Sequence, residues 1–118
     1  MKKLLNRLVA IFSIFSLLLG FSSAQARVDG DTITLGAAVS LTGKYSTNGE
    51  HTKNGYNLAV KRINDMGGVK VGGKSYKFAV KYYDDESNSK RAAQLAERLI
   101  KQDGVKYMLG PYSSGLTK

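Results

Sequence analysis

Apolar residues follow four different patterns along this chain, and each pattern predicts an element. Leu8 to Phe21 is an almost unbroken apolar run. Ile33 to Val39 carries Ile, Leu, Ala and Val with only small residues between them, which suits a strand covered by helices on both faces. It is predicted to be the central strand of a parallel sheet. Between Thr47 and Gly67, the positions Thr52, Tyr56, Ala59, Ile63 and Met66 recur at spacings of four and three, so they share one side of a helix. Thr47 and Glu50 are expected to form a capping box at its start, and Gly67-Gly68 to end it by supplying positive φ. Gly55, inside this helix, is expected to allow close approach to the sheet, since glycine there costs about 1 kcal/mol relative to alanine. From Tyr76 to Tyr83 the pattern alternates, with Tyr76, Phe78, Val80 and Tyr82 on one face and Lys77, Ala79, Lys81 and Tyr83 on the other. That predicts a half-wet edge strand guarded by lysines. Ser87 or Asn88 caps a second helix with Ala92, Leu95, Ala96, Leu99 and Ile100 on its apolar side; Gly104 stops it, and Val105 to Leu109 is the third strand.

Strand, helix, strand, helix, strand makes an α/β fold, part of a doubly wound parallel sheet. Right-handed crossovers place the two helices on opposite faces of a sheet ordered 2-1-3 by these three strands. In such sheets ligands bind beyond the carboxyl ends of the strands, where the winding reverses. The loops 40–48 and 110–114 are therefore expected to face each other across one crevice mouth.

The first apolar run belongs to a leader and not to the fold. Lys2, Lys3 and Arg7 form a positive n-region, Leu8 to Phe21 an h-region, and Ala24-Gln25-Ala26 a small-x-small cleavage signal. Residues 1–26 are read as a secretory signal peptide and 27–118 as at most one α/β domain. With no cysteine in the chain, disulfides, thiol redox chemistry and a lipid-modified cysteine are excluded. The chain carries 18 basic and 9 acidic residues among its 118, a formal net charge of +9. After the leader, the basic residues lie at near-even spacing without a dense cluster, which points to a solvated surface and away from a nucleic-acid site.

Little in the loops can carry acid–base chemistry. Gly43-Lys44 invites comparison with a phosphate-binding loop, but Ala38 stands at its first glycine and Tyr45 where Ser or Thr should follow the lysine. His51 is the one histidine, and the pattern puts it in the first turn of a helix, where it reads as structural or solvent-facing. Asp84-Asp85-Glu86 reads as negative charge placed ahead of a helix start, and no second acidic cluster completes a metal shell. Neither a metal nor a cofactor is expected. Ser40, Thr42, Tyr45, Ser46, Tyr112, Ser113 and Ser114 remain, groups suited to hydrogen-bonding a small polar ligand.

A leader followed by Ile-Thr-Leu-Gly-Ala-Ala-Val-Ser-Leu-Thr-Gly, then Asn-Asp-Met-Gly-Gly-Val (Asn64 to Val69), Tyr-Asp-Asp and Gly-Pro-Tyr-Ser-Ser (Gly110 to Ser114), resembles the periplasmic substrate-binding proteins of branched-chain and amide amino-acid ABC transporters. The resemblance covers nearly all of Thr32 to Thr117. It implies the amino-terminal part of lobe 1 of a type I periplasmic binding protein, a non-enzymatic protein whose two lobes close on an amino acid or related amide and deliver it to a membrane permease. It implies Ser114 as the side-chain ligand to the solute carboxylate, Tyr112 and Ser113 assisting through ring or backbone, and Asn48 and Tyr45 contributing from the first loop. It also implies a second lobe and a hinge beyond Lys118. Lys44 stands where this family usually has proline, and Asn48 where many of its amino-acid binders place an aromatic ring.

Three other readings stand beside it: a sensory receptor ectodomain of the same fold, a flavodoxin-like or hydrolytic enzyme, and a small secreted basic module that binds polyanions. The resemblance favours an exported, periplasmic solute binder with no nucleic-acid partner. Cleavage is expected between Ala26 and Arg27, and the intact mass of the exported protein checks it, since a product retaining Met1 would contradict export.

Overall fold

The computed structural model describes residues 28–118, so the leader and its cleavage junction lie outside the described residues. Strand β1 is Val28–Asp29 and β2 is Thr32–Val39; helix α1 is Ser46–Asp65. A short hairpin joins β3, Val69–Val71, to β4, Lys74–Asp84. Helix α2, Ser89–Lys101, strand β5, Tyr107–Leu109, and a single turn α3, Ser114–Thr117, complete the order.

β2 organises the sheet. It pairs in parallel with β4 along its full length, from Thr32↔Lys77 to Val39↔Asp84, and in parallel with β5 from Leu35↔Tyr107 to Ala37↔Leu109. The predicted 2-1-3 order is thus the observed one. Because β4 fills one edge of β2 throughout, the antiparallel β1, paired at Val28↔Ile33 and Asp29↔Thr32, shares the other edge with β5. Ala37, Ala38 and Val39 are buried, as a strand covered on both sides requires.

The helices take opposite faces. On one side, a Cβ placed on Gly36 would lie 2.8 Å from Met108 Sδ, 2.9 Å from Val105 Cγ1 and 3.3 Å from Leu99 Cδ1, so the bare backbone at Gly36 leaves room for the side chains of α2 and of the segment 105–108 on that face. On the other side, α1 is pinned by Asn64. Its side-chain nitrogen donates to Phe78 O at 2.7 Å and its oxygen accepts from Phe78 N at 2.8 Å. The amide does for β4 what a neighbouring strand would do, just past the point where the β3 ladder ends at Val69↔Tyr76.

This anchor corrects the expected apolar stripe of α1. With Asn64 turned to the sheet, Thr52, Tyr56, Val60 and Ile63 face inward and half-buried, while Ala59 and Met66 turn to solvent, Met66 at 70% exposure. Gly55 falls on the side opposite Asn64 and a Cβ there meets nothing within 4 Å, so it does not serve close packing. The capping box is also absent. Tyr45 occupies the N-cap with no side-chain hydrogen bond, and the helix start is held by backbone bonds from Ser46 N to Gly43 O and Gly49 N to Tyr45 O. At α2 the prediction holds: Asn88 Oδ1 accepts from Arg91 N at 3.0 Å. The β3–β4 hairpin is missing from the predicted elements, although Gly72-Gly73, both at positive φ, is a turn pair that signals one. β3 therefore covers the first residues of β4, and only the remainder of that strand is an edge.

Leu99 is fully buried at the centre of the α2 face. Leu99→Ala is expected to cost about 2–5 kcal/mol, against about 0.5 kcal/mol or less for Ile100→Ala on the exposed side, where Ile100 is 49% exposed. Urea unfolding of the two variants compares them directly.

Candidate functional site

The carboxyl ends of β2, β4 and β5 lie side by side, and three connecting segments leave them: the loop 40–45, the turn 84–88 and the loop 110–113. The first two interlock. Ser40 is buried and donates its hydroxyl to Asp85 Oδ1 at 2.6 Å. Asp84 Oδ1 accepts from Leu41 N at 2.9 Å and Thr42 N at 3.2 Å, while Oδ2 accepts from Thr42 Oγ1 at 2.7 Å. In the other direction Ser87 Oγ donates to Thr42 O at 2.7 Å and accepts from Tyr45 N at 3.0 Å.

The acidic run thus has a different role from the one expected. Asp84 and Asp85 do lie ahead of α2, which starts at Ser89, but their carboxylates point back across the strand ends and hold the loop after β2. Burial pushes the Asp84 carboxyl upward, but the bonds from the Thr42 hydroxyl and from the Glu86, Leu41 and Thr42 amides outweigh it and hold the carboxyl below its ordinary range. The turn itself is constrained, with Glu86 at φ 55° and Ser87 at φ 60°.

Two glycines let these segments touch. Gly43, at φ +81°, stands where a Cβ would lie 2.8 Å from both Glu86 O and Ser87 Oγ. Gly49, in the first turn of α1, is so close to the end of β2 that a Cβ would lie 1.8 Å from Ser40 O.

Across the mouth, the loop after β2 meets the loop after β5, as expected. The rings of Tyr45 and Tyr112 stand 6.0 Å apart between centroids, tilted by 54°, and Lys44 Nζ lies 4.7 Å from the Tyr45 centroid. Tyr56 reaches up from α1 to donate its hydroxyl to Gly110 O at 2.8 Å. Ser113 Oγ accepts from Gly115 N at 3.2 Å and caps α3, leaving Ser114 exposed at the first position of that turn. Asn48 is half-buried in the first turn of α1, where its carbonyl accepts from Thr52 Oγ1. The structure therefore brings Tyr45 and Tyr112 into contact, sets Ser113 and Ser114 beside them in sequence on the same rim, and keeps Asn48 one helical turn behind Tyr45. Tyr56, Asp84 and Ser87 were not foreseen as builders of this mouth. Only Tyr56 gave a signal, since a tyrosine on the inward side of a helix needs a partner for its hydroxyl. A cavity of about 440 Å³, lined mostly by apolar groups including Ala92, Ala96, Met108, Leu109 and Leu116, opens on the α2 face and reaches the loop after β5 at Gly110 and Pro111.

Residues 32–118 match the family model described as periplasmic binding protein. The chain belongs to that family. Among family relatives, the Leu/Ile/Val-binding protein homolog 3 of Brucella melitensis is 33% identical over 102 residues, covering 86% of this chain and 25% of the relative. The leucine-, isoleucine-, valine-, threonine- and alanine-binding protein of Pseudomonas aeruginosa is 31% identical over 118 residues, 100% of this chain and 30% of its own length. Among solved structures, the branched-chain amino acid transporter substrate-binding protein LivJ of Streptococcus pneumoniae, in complex with isoleucine, superposes with a TM-score of 0.64 at 32% identity, over 73% of this chain and 24% of that one. A solute-binding protein of an ABC transporter from Rhodopseudomonas palustris BisB5, in complex with 3,4-dihydroxybenzoic acid, gives 0.54 at 31% identity, over 66% and 20%. The chain spans about a quarter of the length of such relatives. These likenesses agree with the type I periplasmic binding protein fold that the sequence resemblance implies.

The two helix glycines of α1 should respond in opposite senses. Gly49→Ala drives a methyl into the Ser40 carbonyl and is expected to destabilise by about 1–3 kcal/mol, whereas Gly55→Ala, with open space around it, should stabilise by up to about 1 kcal/mol. Denaturation midpoints measured in parallel test the pair.

Proposed function

We propose that this chain forms the amino-terminal part of lobe 1 of an ABC importer's solute-binding component, exported to the periplasm after removal of residues 1–26. The bound solute is an amino acid of branched-chain type or a related amide, passed on to a membrane permease. The observation that carries this reading is the meeting of the two strand-end loops at the switch point, with Tyr45 and Tyr112 in ring contact and Ser113 and Ser114 on the same rim. Membership of the periplasmic binding protein family and the names of the relatives support it.

In this reading Ser114 donates its hydroxyl to the solute carboxylate, Ser113 and Tyr112 line the rim beside it, and Tyr45 and Asn48 face the solute from the first loop. Hydroxyls and backbone amides bind and orient a small polar molecule; they supply no nucleophile–base pair, so the role is binding and not catalysis. A second reading, an aromatic acid as solute, is favoured by the Tyr45–Tyr112 pair together with the likeness to the Rhodopseudomonas palustris protein solved with 3,4-dihydroxybenzoic acid.

Calorimetric titration of the protein carrying this lobe with leucine, isoleucine and valine, then with amides and 3,4-dihydroxybenzoate, separates the two. Ser114→Ala is expected to weaken the best solute by about 1–3 kcal/mol, the cost of leaving a charged acceptor without its hydroxyl donor. An unchanged dissociation constant would make Ser114 a turn residue only.

A further inference from the structure

The loop 40–45 has almost no internal support. Within it and its junction with α1, the backbone bonds are Ser46 N to Gly43 O and Gly49 N to Tyr45 O. Its remaining bonded amides, those of Leu41, Thr42 and Tyr45, and the Thr42 carbonyl are met by two short side chains of another segment, Asp84 and Ser87. Those side chains are themselves held. Asp84 Oδ1 also accepts from Glu86 N at 2.9 Å, and Ser87 N donates to Asp85 Oδ1 at 2.8 Å, so the turn is braced by hydrogen bonds of its own. Contact at Gly43 leaves no gap between them.

Resting on the reading of this mouth as a solute site, we infer that Asp84 and Ser87 are positioning residues: the turn after β4 is a template that fixes the loop after β2 and thereby places Tyr45 beside Tyr112. Neither residue lies on the solute rim. Asp84 contributes through three donors of the loop, Leu41 N, Thr42 N and Thr42 Oγ1, and Ser87 holds Tyr45 directly through its amide. The pairing of the sheet does not pass through these side chains, and α2 is capped by Asn88, so their removal acts on the loop and leaves β2 and α2 in place. Asp84→Asn keeps Oδ1 as an acceptor for the loop amides and is the conservative substitution.

Amide hydrogen exchange by NMR on the full chain tests this. In Asp84→Ala the amides of Leu41 and Thr42, and in Ser87→Ala that of Tyr45, should exchange about tenfold faster or more, while Ala37 in β2 and Leu99 in α2 keep their protection. Cross-peaks between the Tyr45 and Tyr112 rings should weaken in both variants, and Asp84→Asn should recover most of the protection at Leu41 and Thr42. Loop amides as protected as in the unsubstituted chain would overturn the template, and so would a loss shared equally by Ala37 and Leu99. Solute affinity is read separately by titration with isoleucine. If the unsubstituted protein takes up no solute, the solute reading fails while loop exchange still decides the template; if Asp84→Ala loosens the loop but leaves affinity unchanged, the link from template to solute is overturned.

Discussion

The register between β2 and β4 is the constraint on which the rest depends. Because the ladder runs in step from Thr32↔Lys77 to Val39↔Asp84, the two strands end level, and Ser40 leaves one just where Asp85 leaves the other. A slip of one residue would send every side chain of β4 to the opposite face, exchanging Phe78, Val80 and Tyr82 for Lys77, Lys81 and Tyr83. It would also part Ser40 from Asp85 and Thr42 from Asp84, and the mouth would lose its first wall. Core packing and site geometry thus share one cause.

The faces of β4 show how the same register separates functions. Tyr82 turns toward α1 and donates to Asn57 Oδ1 at 2.8 Å, whereas Lys81 and Tyr83 turn toward α2 and meet Asp103. The Lys81 ammonium, with further help from the Tyr83 hydroxyl, holds the Asp103 carboxyl below its ordinary range. This polar cluster ties the end of α2 to β4 at the flank of the sheet, leaving Leu99 and Val105 to fill the dry centre.

What the sequence made legible was whatever is encoded by period and punctuation. The buried central strand, the Asn88 cap and the 2-1-3 order follow from local pattern and the handedness of crossovers, whereas the half-wet face expected of β4 is covered: residues 78–84 are all half-buried, with Lys81 and Tyr83 turned to α2. That the loops 40–48 and 110–114 face each other follows from that order; the ring contact of Tyr45 with Tyr112 does not. The pairing of Asp84 with Thr42 and of Asp85 with Ser40 had no local signature, since residues more than 40 apart in sequence are joined only by the level ends of two strands. The rotation of α1 was misread for a similar reason: the stripe through Ala59 and Met66 fits the period as well as the true one, and Asn64 chooses between them through a backbone group on another element.

That choice by Asn64 has a consequence for how the sheet can grow. By occupying both polar groups of Phe78, the side chain blocks strand pairing at that point of β4, while Lys77 beside it and Lys81 further along discourage pairing by charge. On the opposite flank, β5 pairs with β2 alone among the described strands, and its first residue, Tyr107, is 55% exposed. The two flanks are therefore unequal: on the β4 side, β3 and Asn64 take the outward groups as far as Phe78, whereas the outer side of β5 has no strand partner among the described residues, so a strand added there lies next to Tyr107, on the side where the loop carrying Ser113 and Ser114 emerges.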